Sequence, residues 1–224
     1  MARLNIFLFV AVGLLMYASA NSQQHLFSAS LKSSLTSEAN LYENSSNVHS
    51  YSSFVGYGAD VRRKIEGENI VLGCSAEYLT HAERYTNADA NVSDKFILVP
   101  LEFTGYFIVP FSSNSVNFYI GGGVGGYFGN RTIKIGNVQA KVKENSGGVG
   151  IHVVSGIEYN ITDFFALRSE VKFRDVQLES TYQFANQPND NSGNPVFNVV
   201  PNTSYTSQLN VDGTTIEMAL IFKL

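Results

Sequence analysis

From Phe165 to Arg174 the chain alternates without a break. Phe165, Leu167, Ser169, Val171 and Phe173 fall on one side; Ala166, Arg168, Glu170, Lys172 and Arg174 fall on the other. A period of two is the period of a β-strand, and a helix would scatter these charges round its surface. Four charges in succession on one face, opposite large apolar groups, require a strand whose two sides meet unlike surroundings.

The same pattern recurs along the chain. Val149, Ile151, Val153, Ser155, Ile157 and Tyr159 oppose Gly148, Gly150, His152, Val154, Gly156 and Glu158. Ile97, Val99, Leu101, Phe103 and Phe107 oppose Pro100, Glu102, Thr104 and Tyr106, and Phe118, Ile120, Val124 and Phe128 oppose Asn117, Tyr119, Tyr127 and a run of glycines. Leu72, Cys74, Ala76 and Tyr78 oppose Gly73, Ser75 and Glu77; Tyr51, Val55, Tyr57 and Ala59 oppose Ser52, Gly56, Gly58 and Asp60. Ile216, Met218, Leu220, Phe222 and Leu224 oppose Gly213, Thr215, Glu217 and Lys223. Leu26 to Ser33 supplies an eighth strand, with Phe27, Ala29 and Leu31 against Ser28, Ser30 and Lys32. Short turns fall near Arg62–Asn69, Pro110–Ser115 and Asn160–Asp163; long polar connections fall at Ser34–Ser46, His81–Lys95, Asn130–Gly147 and Val176–Ser207. Strict alternation of long and short connections predicts an all-β, closed, up-and-down antiparallel barrel of eight strands, with both termini at the short-turn rim.

Which face is inside is decided by glycine and charge. The polar faces carry Gly56, Gly58, Gly73, Gly121, Gly123, Gly125, Gly148, Gly150, Gly156 and Gly213, which suits a narrow interior. The strands run to about 10–13 residues, the length a tilted strand needs to cross a bilayer. A soluble lipocalin-like barrel would turn its apolar face inward, and it usually carries a tryptophan near the first strand; this chain has none. In a bilayer every backbone polar group must be paired, so the transmembrane sheet must close. Glu77, Glu102, Glu158, Glu170 and Glu217 then point inward near Arg168, Lys172 and Arg174, and an interior ion-pair network is expected that plugs the lumen. Pro100, which lacks an N–H, is expected at a bulge or a rim.

Met1 to Ala20 reads as a signal peptide: Arg3, an apolar run from Ile6 to Tyr17, and the small-residue site Ala18-Ser19-Ala20. Residues 21–224 then form the barrel domain, and the formal charge moves from −4 to −5 with the loss of Arg3. That charge offers no footing for nucleic acid. Cys74 and the scattered His25, His49, His81 and His152 have no metal-ligand spacing, so neither metal nor cofactor is expected.

In its segments Tyr119–Tyr127, Gly147–Tyr159, Ala166–Arg174 and Ile216–Leu224 the chain resembles the small bacterial outer-membrane barrels, the family of the outer-membrane protein A transmembrane domain and outer-membrane protein X. The resemblance implies location in the outer membrane, contact with its lipid, and insertion by the barrel-assembly machinery. That machinery would read the last strand, here Leu220, Phe222 and Leu224, with the aromatic residue two places before the end. It names no activity. A non-enzymatic monomer is expected, with long external loops that serve surface structure, adhesion or ligand binding; Tyr182, Phe184 and Phe197 are the candidate loop contacts. The competing readings are a lipid-modifying enzyme, a narrow pore and a soluble secreted β-protein. For the enzyme, His49 and Ser53 share parity near a strand end, but no carboxylate shares their face to orient the base.

Overall fold

The computed structural model describes residues 26–37, 39–43, 46–51, 53–87, 90–113, 115–145, 147–196 and 199–224. The expected signal peptide lies outside the described residues. The strands, in chain order, are β1 (Phe27–Thr36), β2 (Ala39–Glu43), β3 (Ser46–Tyr51), β4 (Phe54–Lys64), β5 (Ile70–Asn87), β6 (Ala90–Ile108) and β7 (Val116–Ile135), followed by β8 (Val138–Gln139), β9 (Lys141–Asn145), β10 (Gly147–Asn160), β11 (Phe165–Gln183), β12 (Ser204–Val211) and β13 (Thr214–Lys223).

Eight of these strands close a ring in the order β1-β4-β5-β6-β7-β10-β11-β13, every neighbour antiparallel, with β13 returning to β1. One row of paired residues traces it: Gly126, Leu101, Ala76, Ala59, Leu31, Leu220, Leu167, Tyr159 and Val116. The row leaves β7 at Gly126 and regains it at Val116, ten residues lower. With eight strands, a stagger of ten residues sets a strand tilt of roughly 40° and a mean radius of about 8 Å from standard strand rise and spacing. Such a cylinder holds side chains and little else, which is why the lumen face admits so many glycines.

Pro100 sits within β6, at neither a bulge nor a rim. The β5–β6 ladder runs in constant register from Ala76↔Leu101 to Leu79↔Leu98 and omits only the pairs between them. The missing N–H therefore falls on the β5 side, while Pro100↔Tyr127 keeps the β7 side intact.

Outward residues from Ile97 to Phe107 on β6 cover ten residues, roughly 25 Å of height at that tilt, which matches an outer-membrane hydrocarbon layer. Ile120, Val124, Ile151, Val153, Leu167, Phe173, Met218 and Leu220 continue this exposed apolar belt round the ring. Aromatic rings gather at its lower margin, with Phe165 against Phe222 and Phe111 against Phe118.

Several of the expected long connections are strand. β5, β6, β7 and β11 run 18 to 20 residues, so most of His81–Lys95 is a hairpin, β7 continues to Ile135, and β11 continues to Gln183 with β12 paired to it. The parity of β11 never changes, but the chemistry of its two faces exchanges: inward Arg168, Glu170, Lys172 and Arg174 give way to Val176 and Leu178, while outward Val171 and Phe173 give way to Asp175, Gln177 and Glu179. The strand has left one solvent for another. Above the belt the wall is rebuilt, with β9 and β12 flanking β11, then β2 and β3. Tyr51, expected on the outer face with Val55, lies in β3 and is buried, because it belongs to a different strand from Val55: β3 ends at Tyr51 and the alternation of β4 starts afresh at the buried Phe54.

Candidate functional site

The lumen is filled in layers. At the short-turn end an open vestibule of about 1030 Å³ is floored by Tyr106, Tyr119 and Arg62. The Arg62 guanidinium stacks over the Tyr106 ring at 3.9 Å and donates to Glu170 at 2.6 Å. Tyr119 donates its hydroxyl to the same carboxylate at 2.6 Å. Arg168 completes this layer by pairing with Asp60 and donating to Ser30 at 2.8 Å.

A second layer lies above it. Lys32 bridges Glu77 at 2.6 Å and Glu217 at 3.1 Å. Lys172 reaches Glu217 at 2.8 Å and Glu102 at 2.9 Å, and Arg174 holds Glu77 at 2.5 Å and Glu102 at 2.7 Å. Tyr127 donates to Glu102 from above at 2.8 Å, and His152 meets Thr104 at 2.8 Å. Across both layers, among the described residues, five cations (Lys32, Arg62, Arg168, Lys172, Arg174) face five carboxylates (Asp60, Glu77, Glu102, Glu170, Glu217). Formal neutrality matters, because a buried charge left without a partner costs several kcal/mol.

The alternation placed Glu77, Glu102, Glu170, Glu217, Arg168, Lys172 and Arg174 on inward faces, and the structure brings these seven together. It also draws in Lys32 and Asp60 from β1 and β4, whose inward parity was legible, and Arg62, which was expected at a short turn but lies inward on β4 because that strand continues to Lys64. Glu158 stands apart at the lower rim, partly exposed and paired with Lys223 at 3.0 Å.

Above the ions sits an apolar plug. Leu79, Leu98, Val176 and Leu178 of the ring strands pack with Phe54, Phe96 and Tyr127, and β2, β3 and β12 contribute Leu41, Tyr51, Leu209 and Val211. The void between Leu41, Phe96, Leu178 and Leu209 is about 10 Å³, at or below the room one water requires. Asp94 is buried in this region and is satisfied on both sides: Tyr51 donates to it at 2.6 Å and Arg131 at 2.6 and 3.1 Å. Burial pushes the Tyr51 hydroxyl well above its ordinary pKa, with Asp94 adding to the rise and Arg131 opposing it. Arg131 is also held up: burial works to lower it, but the Asp94 carboxylate outweighs that cost.

Tyr182 and Phe184, the candidate loop contacts, are buried rather than presented to the outside. They pack with Val92, Ile133, Ala140 and Val199 in a second apolar cluster that caps the plug, because their strand continues beyond the belt with the same inward parity. Phe197 lies outside the described residues, as does the side chain of His49. Ser53 offers its carbonyl to His81 Nδ1 at 2.5 Å, and His81 Nε2 lies 3.3 Å from Glu83. Leu220 and Phe222 face outward on β13, and the Leu224 N–H closes on the Phe27 carbonyl at 2.8 Å.

A closed antiparallel ring of eight strands, apolar outside and ionic within, defines a transmembrane β-barrel. No family profile matches the chain, and no curated protein matches it in sequence. Among solved structures it is similar to Neisserial surface protein A at 11% identity and a TM-score of 0.46, covering 88% of this chain and 97% of that one. It is also similar to Ail, the attachment invasion locus protein of Yersinia pestis, at 8% identity and a TM-score of 0.42, covering 87% and 98%. The outer-membrane protease OmpT of Escherichia coli aligns at 7% identity and a TM-score of 0.38, covering 88% and 96%. Likeness at this level leaves the function to be argued from the chain's own residues.

Proposed function

We propose that this protein is a non-enzymatic, non-conducting barrel of the bacterial outer membrane, whose β-rich extension above the bilayer presents a surface for contact or adhesion. The observation that carries the reading is the exchange of faces at Arg174 and Asp175, and its counterpart on β6 between Ile97 and Lys95. Only a chain that passes from hydrocarbon to water along one strand gains from both halves of that pattern. The long connections belong outside the cell and the short turns in the periplasm.

Two features support a closed lumen: the neutral ion layers, and the dry plug above them, which ions cannot cross without losing their hydration. The strand pairs β5–β6 and β11–β12, which continue above the belt, support a shaped surface there.

The test is gel mobility of the detergent-refolded chain with and without boiling, followed by planar-bilayer recording. A heat-dependent shift without conductance is expected. Solubility in plain buffer without a shift would overturn the membrane assignment, and steady conductance would overturn the closed lumen.

A further inference from the structure

The outer wall above the belt is not charged evenly. On adjacent strands β5, β6 and β7 the outward positions above the belt include Arg84, Lys95 and Lys134, all exposed and none ion-paired with a described residue. Ser93 is paired with Arg84 on one side and Lys134 on the other, and Lys95 lies two residues lower on the same strand as Ser93. Strand spacing and rise then set the three Cα positions at the corners of a triangle with edges of about 8–10 Å. The outward residues around them, Thr80, Ala82, Ser93 and Thr132, are small and uncharged, and no described outward position on this wall is acidic. Across the barrel on β11 the first outward residue above Phe173 is the acid Asp175, and Glu179 follows.

Height narrows the ligand. Lys95 is the next outward residue above Ile97, so it stands roughly 5 Å above the top of the belt on its own strand. Ser93 lies four residues above Ile97, roughly 10 Å up, and the row of paired residues descends about 3 Å per strand from β7 to β5, so Lys134 stands roughly 13 Å and Arg84 roughly 7 Å above the same level. A phospholipid headgroup layer is about 5–8 Å deep. Its phosphates reach Lys95 and Arg84 but not Lys134, which needs a headgroup that extends further from the hydrocarbon.

We infer that this wall of β5, β6 and β7 binds the phosphorylated saccharide head of an outer-leaflet glycolipid, with Arg84, Lys95 and Lys134 donating to phosphate oxygens at successive depths. The inference rests on the membrane reading above and adds a ligand to it. Binding orients the barrel's neighbours: glycolipid packs against the basic wall, and the acidic β11 wall repels it.

The experiment measures binding of fluorescent, phosphorylated bacterial glycolipid to the refolded full chain, to the variant Arg84→Gln/Lys95→Gln/Lys134→Gln, and to the control Arg63→Gln/Lys64→Gln, which removes exposed cations at the opposite rim. Every preparation is first checked for its heat-dependent gel shift, so loss of binding is separable from loss of the barrel. Expected are a weakening of about tenfold or more in the triple variant, little change in the control, and decline with rising salt. Equal binding by the triple variant would overturn the site. Equal binding of enzymatically dephosphorylated glycolipid would overturn phosphate as the group recognised. Phosphatidylglycerol binding as strongly would overturn the saccharide head in favour of general membrane charge. Displacement by millimolar inorganic phosphate would reassign the wall to a free anion.

Discussion

Gly123 of β7 faces the lumen between β6 and β10, where a Cβ would run into the carbonyl of Phe103 and the ring of His152. Backbone cannot give way as a flexible side-chain tip can, so Gly123→Ala is expected to destabilise the barrel by about 1–3 kcal/mol or to block refolding. Gly105, on the outer face, has open space at its Cβ position, and Gly105→Ala is expected to be neutral or stabilising by about 0.4–1 kcal/mol. Urea unfolding in lipid vesicles separates the two. The charged residues divide in the same way. Arg174 is fully enclosed by Glu77, Glu102 and Glu217, and Arg174→Ala, which leaves these three buried carboxylates to the two cations Lys32 and Lys172, is expected to cost about 3–5 kcal/mol. Glu158→Gln, at the partly exposed rim pair with Lys223, is expected to cost no more than about 1 kcal/mol in the same assay. Equal costs at the two positions would contradict the layered interior. Asp190, in the loop after β11, accepts N–H groups from Asn194 and Ser192, and these bonds hold its carboxyl below the ordinary aspartate range. A depressed folded-state pKa stabilises the turn above the unfolded value and is lost as pH falls through the folded one. An NMR titration of the Asp190 carboxyl is expected to show a midpoint below that of a free aspartate.

At the scale of the strand, the issue is where the surroundings change. Phe96 and Phe103 both belong to β6, but Phe96 points into the plug and Phe103 into the belt. The absence of native tryptophan makes each position a clean site for a reporter. Emission from Phe103→Trp is expected to be quenched by brominated lipid, and emission from Phe96→Trp to be untouched by it. Quenching at both positions would place lipid where the plug is described. The existence and faces of the eight ring strands were largely legible, because apolar and charged residues keep parity, as from Phe165 to Arg174 without interruption; their register was not, because alternation within a strand does not say which residue it pairs with. Strand ends were not legible either. Beyond Arg174 the sequence still alternates, with Val176 and Leu178 against Asp175 and Gln177, but with the opposite sense. A reading that keeps one face apolar sees a loop where the strand has only crossed into water.

For the molecule as a whole, the extension and the barrel share one core. Leu209 of β12 packs with Leu98 of β6 and Leu178 of β11, strands that also form the ring below. Leu209→Ala is therefore expected to lower the temperature at which the entire chain loses its compact gel mobility, with a cost of about 2–5 kcal/mol. An unchanged conversion temperature, with new protease cleavage confined to β12, would mean that the extension melts as a separate unit.

The sequence by itself determined the fold class, the sense of the strands and which side of each meets lipid, because those follow from local alternation and from glycine where space is short. It also marked most of the inward charges, Glu77, Glu102, Arg168, Glu170, Lys172, Arg174 and Glu217 among them. Only the tertiary structure decided how they pair, since Lys32 and Glu217 lie at opposite ends of the chain and meet because β1 closes on β13. Closure likewise brought in Asp60 and Arg62 and left Glu158 at the rim. The apolar plug and the burial of Tyr182 and Phe184 belong to the tertiary structure as well. They depend on strands from distant segments converging above the membrane, where burial inside protein replaces contact with lipid as the place for an apolar side chain.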